Sequence, residues 1–316
     1  MRAQSLLLVG PEQLRWTATD LAEPAPDEIL LETLAGAISI GTEIPHYLGQ
    51  SRGIAKKYPS MTGYESVAKV LASGVGVTTV QPGDRIFSFY GHRTHAIIPA
   101  TKAIPVPDDI DDDIALLAIL SCDVAKGIRK LVPSPDSPVL ITGAGTIGLL
   151  TLWVLLCHGV RHVDVCEPHA NRRELASRFG AHAIFAPDGQ DRFTDNYAYG
   201  FECSSRDAAF GLLQRALRPD GTICVLADGN LEPLTLLPEF HQNELHVVGS
   251  SDGWDYQAHA RWFFAQLRDP TSDQSALLRQ LFEWRIEASE LPETFARLAH
   301  ATNRPIKVFA RYLPST

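Results

Sequence analysis

Residues 139–148 read Val-Leu-Ile-Thr-Gly-Ala-Gly-Thr-Ile-Gly, and this stretch decides the fold class of the 316-residue chain. It begins as a short apolar run, typical of a strand covered on both faces, and ends in the pattern G-x-G-x-x-G. The first glycine of such a turn permits the tight bend, the second lets the backbone approach a pyrophosphate, and the third lets helix and strand pack closely. An apolar stretch at 149–157 then predicts a helix, whose N-terminus would attract phosphate charge. The predicted dinucleotide-binding turn consists of Gly143, Gly145, Thr146, Ile147 and Gly148.

Strand-like and helix-like segments continue to alternate after this turn. Strands are predicted at 162–166, 183–185, 199–202, 222–227 and 246–249, and helices at 171–179 and 208–217. This alternation is typical of βαβ units around a parallel sheet. The chain then returns to predicted helices at 256–266 and 275–284 and ends with a predicted strand at 306–312.

The N-terminal part of the chain has a different pattern. Short apolar runs are separated by turn signals such as Gln81-Pro82-Gly83-Asp84, which favours strands. We see no sustained helical period before the three aspartates at 111–113, which suit a helix N-terminus. The sequence therefore predicts an α/β protein with a β-rich domain at 1–119 and a doubly wound parallel-sheet (Rossmann) domain at 120–265. We expect the segment at 266–316 to return to the first domain.

Composition excludes several classes of protein. With 45% hydrophobic residues the chain can bury a large core, and its net charge of −9 gives no electrostatic support for binding nucleic acid. It contains no run of about 18 apolar residues, so we expect no membrane insertion, and its first residues do not resemble a signal peptide. The five cysteines include no C-x-x-C pair, which favours free thiols in a reducing compartment and a cytoplasmic location.

An acidic residue ends the second predicted strand of the parallel sheet. Glu167 follows Gly143 by 24 residues, and a carboxylate at this point can accept hydrogen bonds from the ribose hydroxyls of adenosine while repelling a 2′-phosphate. The spacing therefore favours NAD(H) over NADP(H). Arg172 lies a little further on and could neutralise a phosphate, so binding of NADP(H) stays an alternative.

Several local segments extend this pattern to the whole chain. Gln81-Pro82-Gly83-Asp84-Arg85, Gly63-Tyr64-Glu65, Gly180-Ala181 and Ile306-Lys307-Val308 resemble motifs of the medium-chain dehydrogenase/reductase superfamily, in the same order. The resemblance implies a GroES-like β-rich catalytic domain, a Rossmann domain, and hydride transfer between a nicotinamide and an alcohol or carbonyl compound. Ser39-Ile40-Gly41-Thr42-Glu43 together with Gly63-Tyr64-Glu65 is most similar to the zinc-lacking branch that contains bacteriochlorophyllide dehydrogenases.

The chain departs from the zinc-dependent members at their metal ligands. Where they have cysteine this chain has Ile40, and where they have histidine it has Tyr64, so that only Cys122 matches a third ligand. Catalytic zinc needs three nitrogen, sulfur or carboxylate donors. We therefore expect no zinc, and we treat His46, His92, His95 and Cys122 as a poor substitute site.

Without a metal, side-chain hydroxyl groups must manage the alcohol proton. The resemblance places Thr42 at the family's relay hydroxyl and Tyr64 in the same cleft, where each could contact the substrate oxygen. His46 could pass protons to solvent, and Asp123 is a further candidate for the catalytic set.

The resemblance also implies the remaining cofactor contacts. It places Cys203 and Ser204 in a loop after the fourth strand, and Lys307 at the pyrophosphate. It directs Ala227, Ser250 and Ser251 towards the nicotinamide.

These patterns predict a zinc-independent, NAD(H)-dependent oxidoreductase acting on a secondary alcohol or ketone. The substrate could be the hydroxyethyl side chain of a chlorin-type pigment or another hydrophobic or cyclic alcohol. One alternative is an NADPH-dependent quinone or enone reductase, and another is a catalytically silent NAD(P)-binding partner protein. We expect a small-molecule substrate and a homodimer.

Overall fold

The computed structural model describes residues 1–51, 57–188, 196–227, 232–268 and 273–313. The chain divides into two compact units. The first comprises Met1–Ile119, Ala260–Leu267 and Thr271–Thr316, and the second comprises Leu120–His259 and Arg268–Pro270.

The elements follow in chain order. The first part contains β1 (Arg2–Gly10), β2 (Gln13–Asp20), β3 (Glu28–Ile38), α1 (Ile40–Tyr47), β4 (Ser60–Met61), β5 (Glu65–Ser73), β6 (Arg85–Ser88), β7 (His95–Pro99), β8 (Ile104–Pro105) and α2 (Asp112–Leu131). The middle contains β9 (Val139–Thr142), α3 (Thr146–Cys157), β10 (Val163–Cys166), α4 (Ala170–Arg178), β11 (Ala183–Phe185), β12 (Tyr197–Glu202), α5 (Asp207–Ala216), β13 (Leu217–Val225), α6 (Pro238–Gln242) and β14 (His246–Gly249). The last part contains α7 (Tyr256–Gln266), α8 (Gln274–Arg279), β15 (Phe282–Glu287), α9 (Leu291–His300) and β16 (Lys307–Arg311).

The second unit is built on a parallel sheet. Among the described residues its strand order is β11-β10-β9-β12-β13-β14, and each neighbouring pair is parallel. All four residues of the central strand β9 are buried, as the apolar run predicted. The first connection, through α3, leads to β10 on one side of β9, and the chain later crosses to β12 on the other side. The topology therefore switches direction beside the glycine turn, where open α/β sheets bind ligands.

The first unit is built on antiparallel pairing. A larger sheet has the order β15-β16-β3-β5-β6-β8, with β7 paired to β3, and a smaller sheet has the order β2-β1-β4. β16 pairs with β3, and Ala37 of β3 lies opposite Glu65, the first residue of β5. The last strand of the chain thus lies in one sheet with the strands that carry the G-Y-E segment. Together the two units confirm the predicted α/β class with a β-rich part and a doubly wound part.

Two helices of the first unit, α1 and α9, were not predicted from the sequence. α1 has only eight residues, with Pro45 inside it, and the chain passes from β3 into it through the single residue Ser39. α9 contributes Leu291, Phe295 and Leu298 to a buried cluster that includes Tyr47 of α1. The rings of Tyr47 and Phe295 lie 5.6 Å apart between centroids. Burial of these apolar faces, rather than intrinsic propensity, stabilises such short helices.

The predicted helix at 275–284 is wrong in its second half. Helix α8 ends at Arg279, and β15 starts at Phe282 and pairs in parallel with β16. Hydrogen bonding to a strand about 25 residues further along the chain overrides the local pattern here.

No helix within the described ranges is long and apolar enough to cross a membrane.

Candidate functional site

The glycine turn has the geometry that a dinucleotide needs. Gly143 has φ +92°, a conformation that favours glycine, and its N–H donates to the carbonyl oxygen of Cys166 at 2.9 Å. Gly145 is the N-cap of α3 and has no side-chain cap hydrogen bond. A Cβ atom at Gly145 would meet no atom within 4 Å. The turn therefore leaves open space next to the first N–H groups of α3, where an anion is favoured.

The third glycine is required by packing instead. A Cβ atom at Gly148 would lie 1.8 Å from the carbonyl oxygen of Gly143, which no substitution can tolerate without movement of the turn. Cys203 and Ser204 close the turn from β12, because a Cβ atom at Gly143 would lie 3.1 Å from Ser204 Cβ and 3.2 Å from the Cys203 carbonyl oxygen. The structure thus brings both residues next to the turn. Burial raises the pKa of the Cys203 thiol well above its usual range, so the thiol stays protonated.

Glu167 is bonded directly to the turn. Its side chain is almost fully buried (2% exposed), and one carboxylate oxygen accepts the N–H of Ala144 at 2.6 Å. The other oxygen accepts the N–H of His169 at 2.9 Å. Since a carboxylate can accept about four hydrogen bonds, acceptor capacity remains for the hydroxyls of a ribose. Arg173 donates to the carbonyl oxygens of Glu167 and Pro168 and so stabilises the start of α4.

The predicted residues beyond Glu202 lie along the same edge of the parallel sheet. The N–H of Ala227 donates to Glu202 O at 3.1 Å, and the N–H of Ser250 donates to Val225 O at 3.0 Å. Ser251 is held by Lys126, whose ammonium donates to its carbonyl oxygen at 2.7 Å. Ala227, Ser250 and Ser251 therefore follow the carboxyl ends of β13 and β14, on the side of the sheet away from Glu167.

Asp123 lies in the same unit but belongs to a separate contact. Its carboxylate accepts the phenolic hydrogen of Tyr256 at 2.7 Å, and the Tyr256 oxygen accepts the N–H of Gly253 at 2.6 Å. These bonds order the loop after β14. The structure thus gives Asp123 a contact that stabilises this loop, and its place in the catalytic set stays a prediction.

In the first unit, Tyr64 and Thr42 come together around a third hydroxyl. The phenolic hydrogen of Tyr64 points to Ser39 Oγ at 2.6 Å, and the nearby Thr42 side chain acts to lower the pKa of the phenol. Burial, and then the negative charge of Glu65, raise the pKa of Tyr64 well above its usual value. The phenol is therefore a hydrogen-bond donor throughout the neutral pH range. We call the three side chains of Ser39, Thr42 and Tyr64 the hydroxyl cluster.

Ser39 is a residue that the sequence pattern did not single out as functional. It lies at the N-cap of α1, but its side chain makes no cap hydrogen bond, and its N–H donates to Glu43 Oε1 at 2.8 Å. The Ser39 hydroxyl is thereby left to accept from Tyr64. The spacing Ser39-x-x-x-Glu43 at the start of α1 was the available signal, and it is visible once the helix is known.

His46 has no contact with the hydroxyl cluster among those that the structure describes. Its Nε2 atom lies 3.0 Å from Ser60 Oγ of β4, which ties α1 to the smaller sheet.

Lys307 lies in an ion pair within the larger sheet. It is fully buried, and its ammonium donates to Glu65 Oε1 at 2.6 Å. Burial nevertheless raises the pKa of Glu65, against the lowering effect of Lys307. The contact of Lys307 with a pyrophosphate, which the resemblance implied, stays a prediction.

Ile40 and Tyr64 stand where the resemblance places two zinc ligands, and their side chains offer a metal little. Ile40 has no donor atom, and Tyr64 gives its hydrogen to Ser39. Within the described part of the chain, no three His, Cys, Asp or Glu side chains are grouped so that they could hold a metal ion. By contrast, the open turn at Gly145, the helix N-terminus and Glu167 fit a nicotinamide dinucleotide.

Known proteins resemble the chain in sequence and in fold. No protein-family profile matches the chain. It is 29% identical over 262 residues to 2-desacetyl-2-hydroxyethyl bacteriochlorophyllide A dehydrogenase of Cereibacter sphaeroides, covering 76% of this chain and 79% of that protein.

Two solved structures share the fold. One is a zinc-binding dehydrogenase of Sinorhizobium meliloti 1021 bound to NADP, with 19% identity, a TM-score of 0.84, and coverage of 98% of this chain and 99% of that one. The other is an alcohol dehydrogenase of Escherichia coli CFT073 complexed with NADH, with 18% identity, a TM-score of 0.80, and the same coverage of 98% and 99%.

Two of the three glycines of the turn, Gly145 and Gly148, should respond differently when each is replaced by alanine. Gly145→Ala should keep the fold within about 1 kcal/mol, because the new Cβ has room, yet weaken NADH binding at least about 10-fold by filling the phosphate space. Gly148→Ala should lower the free energy of unfolding by about 3 kcal/mol or more through the clash with Gly143 O. Thermal unfolding and NADH fluorescence titration measure both effects. Equal NADH affinity in Gly145→Ala and the wild type would contradict the assignment of this space to phosphate.

Proposed function

We propose that the chain is an NAD(P)-dependent oxidoreductase of the medium-chain dehydrogenase/reductase superfamily and that it interconverts a secondary alcohol and a ketone with NAD(H) and without zinc. Its similarity to a bacteriochlorophyllide dehydrogenase and its fold, which dehydrogenases share, support this proposal. The observation that supports a reaction without a metal is the hydroxyl cluster. Tyr64 and Ser39 form a short hydrogen bond beside Thr42, at the point in the sequence where zinc-dependent relatives place metal ligands.

The bound nicotinamide supplies the hydride acceptor for oxidation and the hydride donor for reduction. In the reduction direction, the hydroxyls of Ser39 and Thr42 donate hydrogen bonds to the carbonyl oxygen of the substrate. As that oxygen gains negative charge it takes the Ser39 proton, and the Tyr64 proton moves to Ser39 along their 2.6 Å hydrogen bond. Solvent then restores the Tyr64 proton. Oxidation of the alcohol uses the same path in reverse.

The substrate that we propose is a hydroxyethyl group or another secondary alcohol on a hydrophobic or cyclic framework. The support is the similarity to an enzyme named for a hydroxyethyl bacteriochlorophyllide.

Replacement of Tyr64 tests the proton path. Tyr64→Phe should lower kcat about 10²- to 10³-fold while leaving the Kd of NADH unchanged, since a positioned proton donor contributes about 10²–10⁴-fold. Thr42→Val is the matched variant for the other hydroxyl and should lower kcat about 10-fold. The assay follows nicotinamide absorbance with a panel of secondary alcohols, ketones, enones and quinones.

The proposal fails if both variants retain full turnover, or if the purified active enzyme holds stoichiometric zinc. Turnover of enones or quinones but not of ketones would favour the reductase alternative. Dinucleotide binding without turnover of any compound would favour a silent partner protein.

For the cofactor we propose NAD(H), on the strength of Glu167. Its carboxylate lies at the turn, where it would accept from ribose hydroxyls and repel a 2′-phosphate. Glu167→Gln removes the charge but keeps an oxygen for the Ala144 N–H. We expect the ratio of NADPH to NADH affinity to rise about 10-fold, which corresponds to about 1.4 kcal/mol. Fluorescence titration with both dinucleotides gives this ratio, and wild-type protein that binds NADPH more tightly than NADH would refute the assignment.

We further propose that the protein is a homodimer joined through β14. Among the described strands β14 lies at the edge of the parallel sheet, and Val247 is 41% exposed. The N–H of Ser250 donates to β13, so by alternation the N–H of Val247 points away from it. An unprotected edge strand is a template for pairing with a second chain.

Proline at this position should break such a dimer. Val247→Pro removes the outward N–H, whereas Val247→Thr keeps both the N–H and the β-branched shape. We expect light scattering to report a dimer for the wild type and Val247→Thr, and a monomer, or a dimer at least about 10-fold weaker, for Val247→Pro. Dimers of equal strength in all three proteins would show that β14 is not the interface.

A further inference from the structure

His92 is a buried histidine that the proposed reaction does not use. It lies between β6 and β7, is 1% exposed, and its ring meets Phe295 of α9 edge-on with 6.0 Å between centroids. Its Nδ1 atom has no hydrogen-bond partner among the residues that the structure describes. A buried imidazole with specific contacts on two sides needs an explanation beyond filling space.

On one side His92 holds the segment that carries Ser39 and Thr42. Its Nε2 atom lies 3.2 Å from Glu43 Oε2, and the second oxygen of Glu43 accepts the Ser39 N–H at 2.8 Å. The Glu43 side chain is buried, and a buried carboxylate is stable only where donors satisfy it. Without the His92 donor the carboxylate would move or take up a proton, and the N-terminus of α1 would lose its anchor.

On the other side His92 holds the segment that carries Tyr64. A Cβ atom at Gly63 would lie 2.7 Å from the imidazole ring, so the ring rests directly on the backbone of this glycine. Gly63 has φ +75°, and the backbone N–H of His92 donates to the carbonyl oxygen of Thr62 at 2.7 Å. The residue immediately before Tyr64 is therefore fixed in place by the imidazole.

From these contacts we propose that His92 is a positioning residue that holds Tyr64 against Ser39 by joining the segments 39–43 and 62–65. Its contribution to catalysis rests on the proposed function, whereas the positioning of Tyr64 itself does not. The two segments are separated by 25 residues between Ser39 and Tyr64, and their hydroxyls meet at 2.6 Å. An O–H···O bond of that length tolerates little displacement, and a misplacement of about 1 Å can cost 10²-fold in rate.

Two substitutions separate the hydrogen bond of His92 from its packing. His92→Phe keeps a ring against Gly63 and Phe295 but removes the donor to Glu43, and His92→Gln restores a donor. The control is His95→Asn, which removes a second buried histidine from the same part of the chain, where it lies 3.1 Å from Thr94 Oγ1. We expect kcat to fall about 10- to 100-fold in His92→Phe, to recover in part in His92→Gln, and to stay within about twofold in His95→Asn. The KM for NADH should not change in any of them.

A spectroscopic signal makes the test independent of turnover. The protein is labelled with 3-fluorotyrosine, and the resonance of residue 64 is identified by its loss in Tyr64→Phe. We expect this resonance to shift in His92→Phe and to stay in place in His95→Asn. If His92→Phe does not fold, the double variant Glu43→Gln/His92→Phe takes its place, because it removes the buried charge together with its partner.

An unmoved resonance, or a full kcat in folded His92→Phe, would overturn the positioning role. Failure of the wild type to transfer hydride with any alcohol would instead refute the proposed function. The Tyr64 resonance alone would then decide whether His92 positions this side chain.

Discussion

The buried ion pair between Lys307 and Glu65 is the contact on which the first unit depends. It joins the first residue of the last strand, β16, to the first residue of β5, across the end of β3. Both side chains are fully buried, and loss of one partner of such a pair typically costs about 3–5 kcal/mol because the other charge is left uncompensated. The same ion pair therefore ties the last strand to the sheet and places two opposite charges in its interior.

The hydroxyl cluster lies directly beside this ion pair. Glu65 follows Tyr64 in the chain, and its charge helps to keep the phenol protonated. Ser39 follows β3, the strand that separates β5 from β16. The strands β3, β5 and β16 thus also position Tyr64, the proton donor that we propose, and Glu43 and His92 contact the same region.

Much of the second unit could be predicted from local sequence, because its constraints are local. The turn at Gly143 and Gly148 needs glycine for backbone reasons that hold wherever a strand meets a helix over so short a distance. The alternation of strands and helices predicted the parallel sheet. Glu167 could be predicted because it follows Gly143 by 24 residues in the sequence. In the first unit, by contrast, α1 and α9 are short helices stabilised by each other's apolar faces, and β15 is a strand only because β16 pairs with it.

By itself the sequence determined the α/β class, the glycine turn between β9 and α3, and the presence of Ile40 and Tyr64 without the Cys and His that a zinc site would need there, since each depends on residue type and spacing along the chain. Only the tertiary structure decided what Lys307, Glu43 and His92 do. The sheet places the Lys307 ammonium 2.6 Å from Glu65 Oε1, a contact that the sequence did not predict. His92 and Glu43 are 49 residues apart, and Ser39 and Tyr64 are 25 apart. Such contacts form where distant strands and helices converge, and no local pattern of charge or hydrophobicity records which pairs will meet.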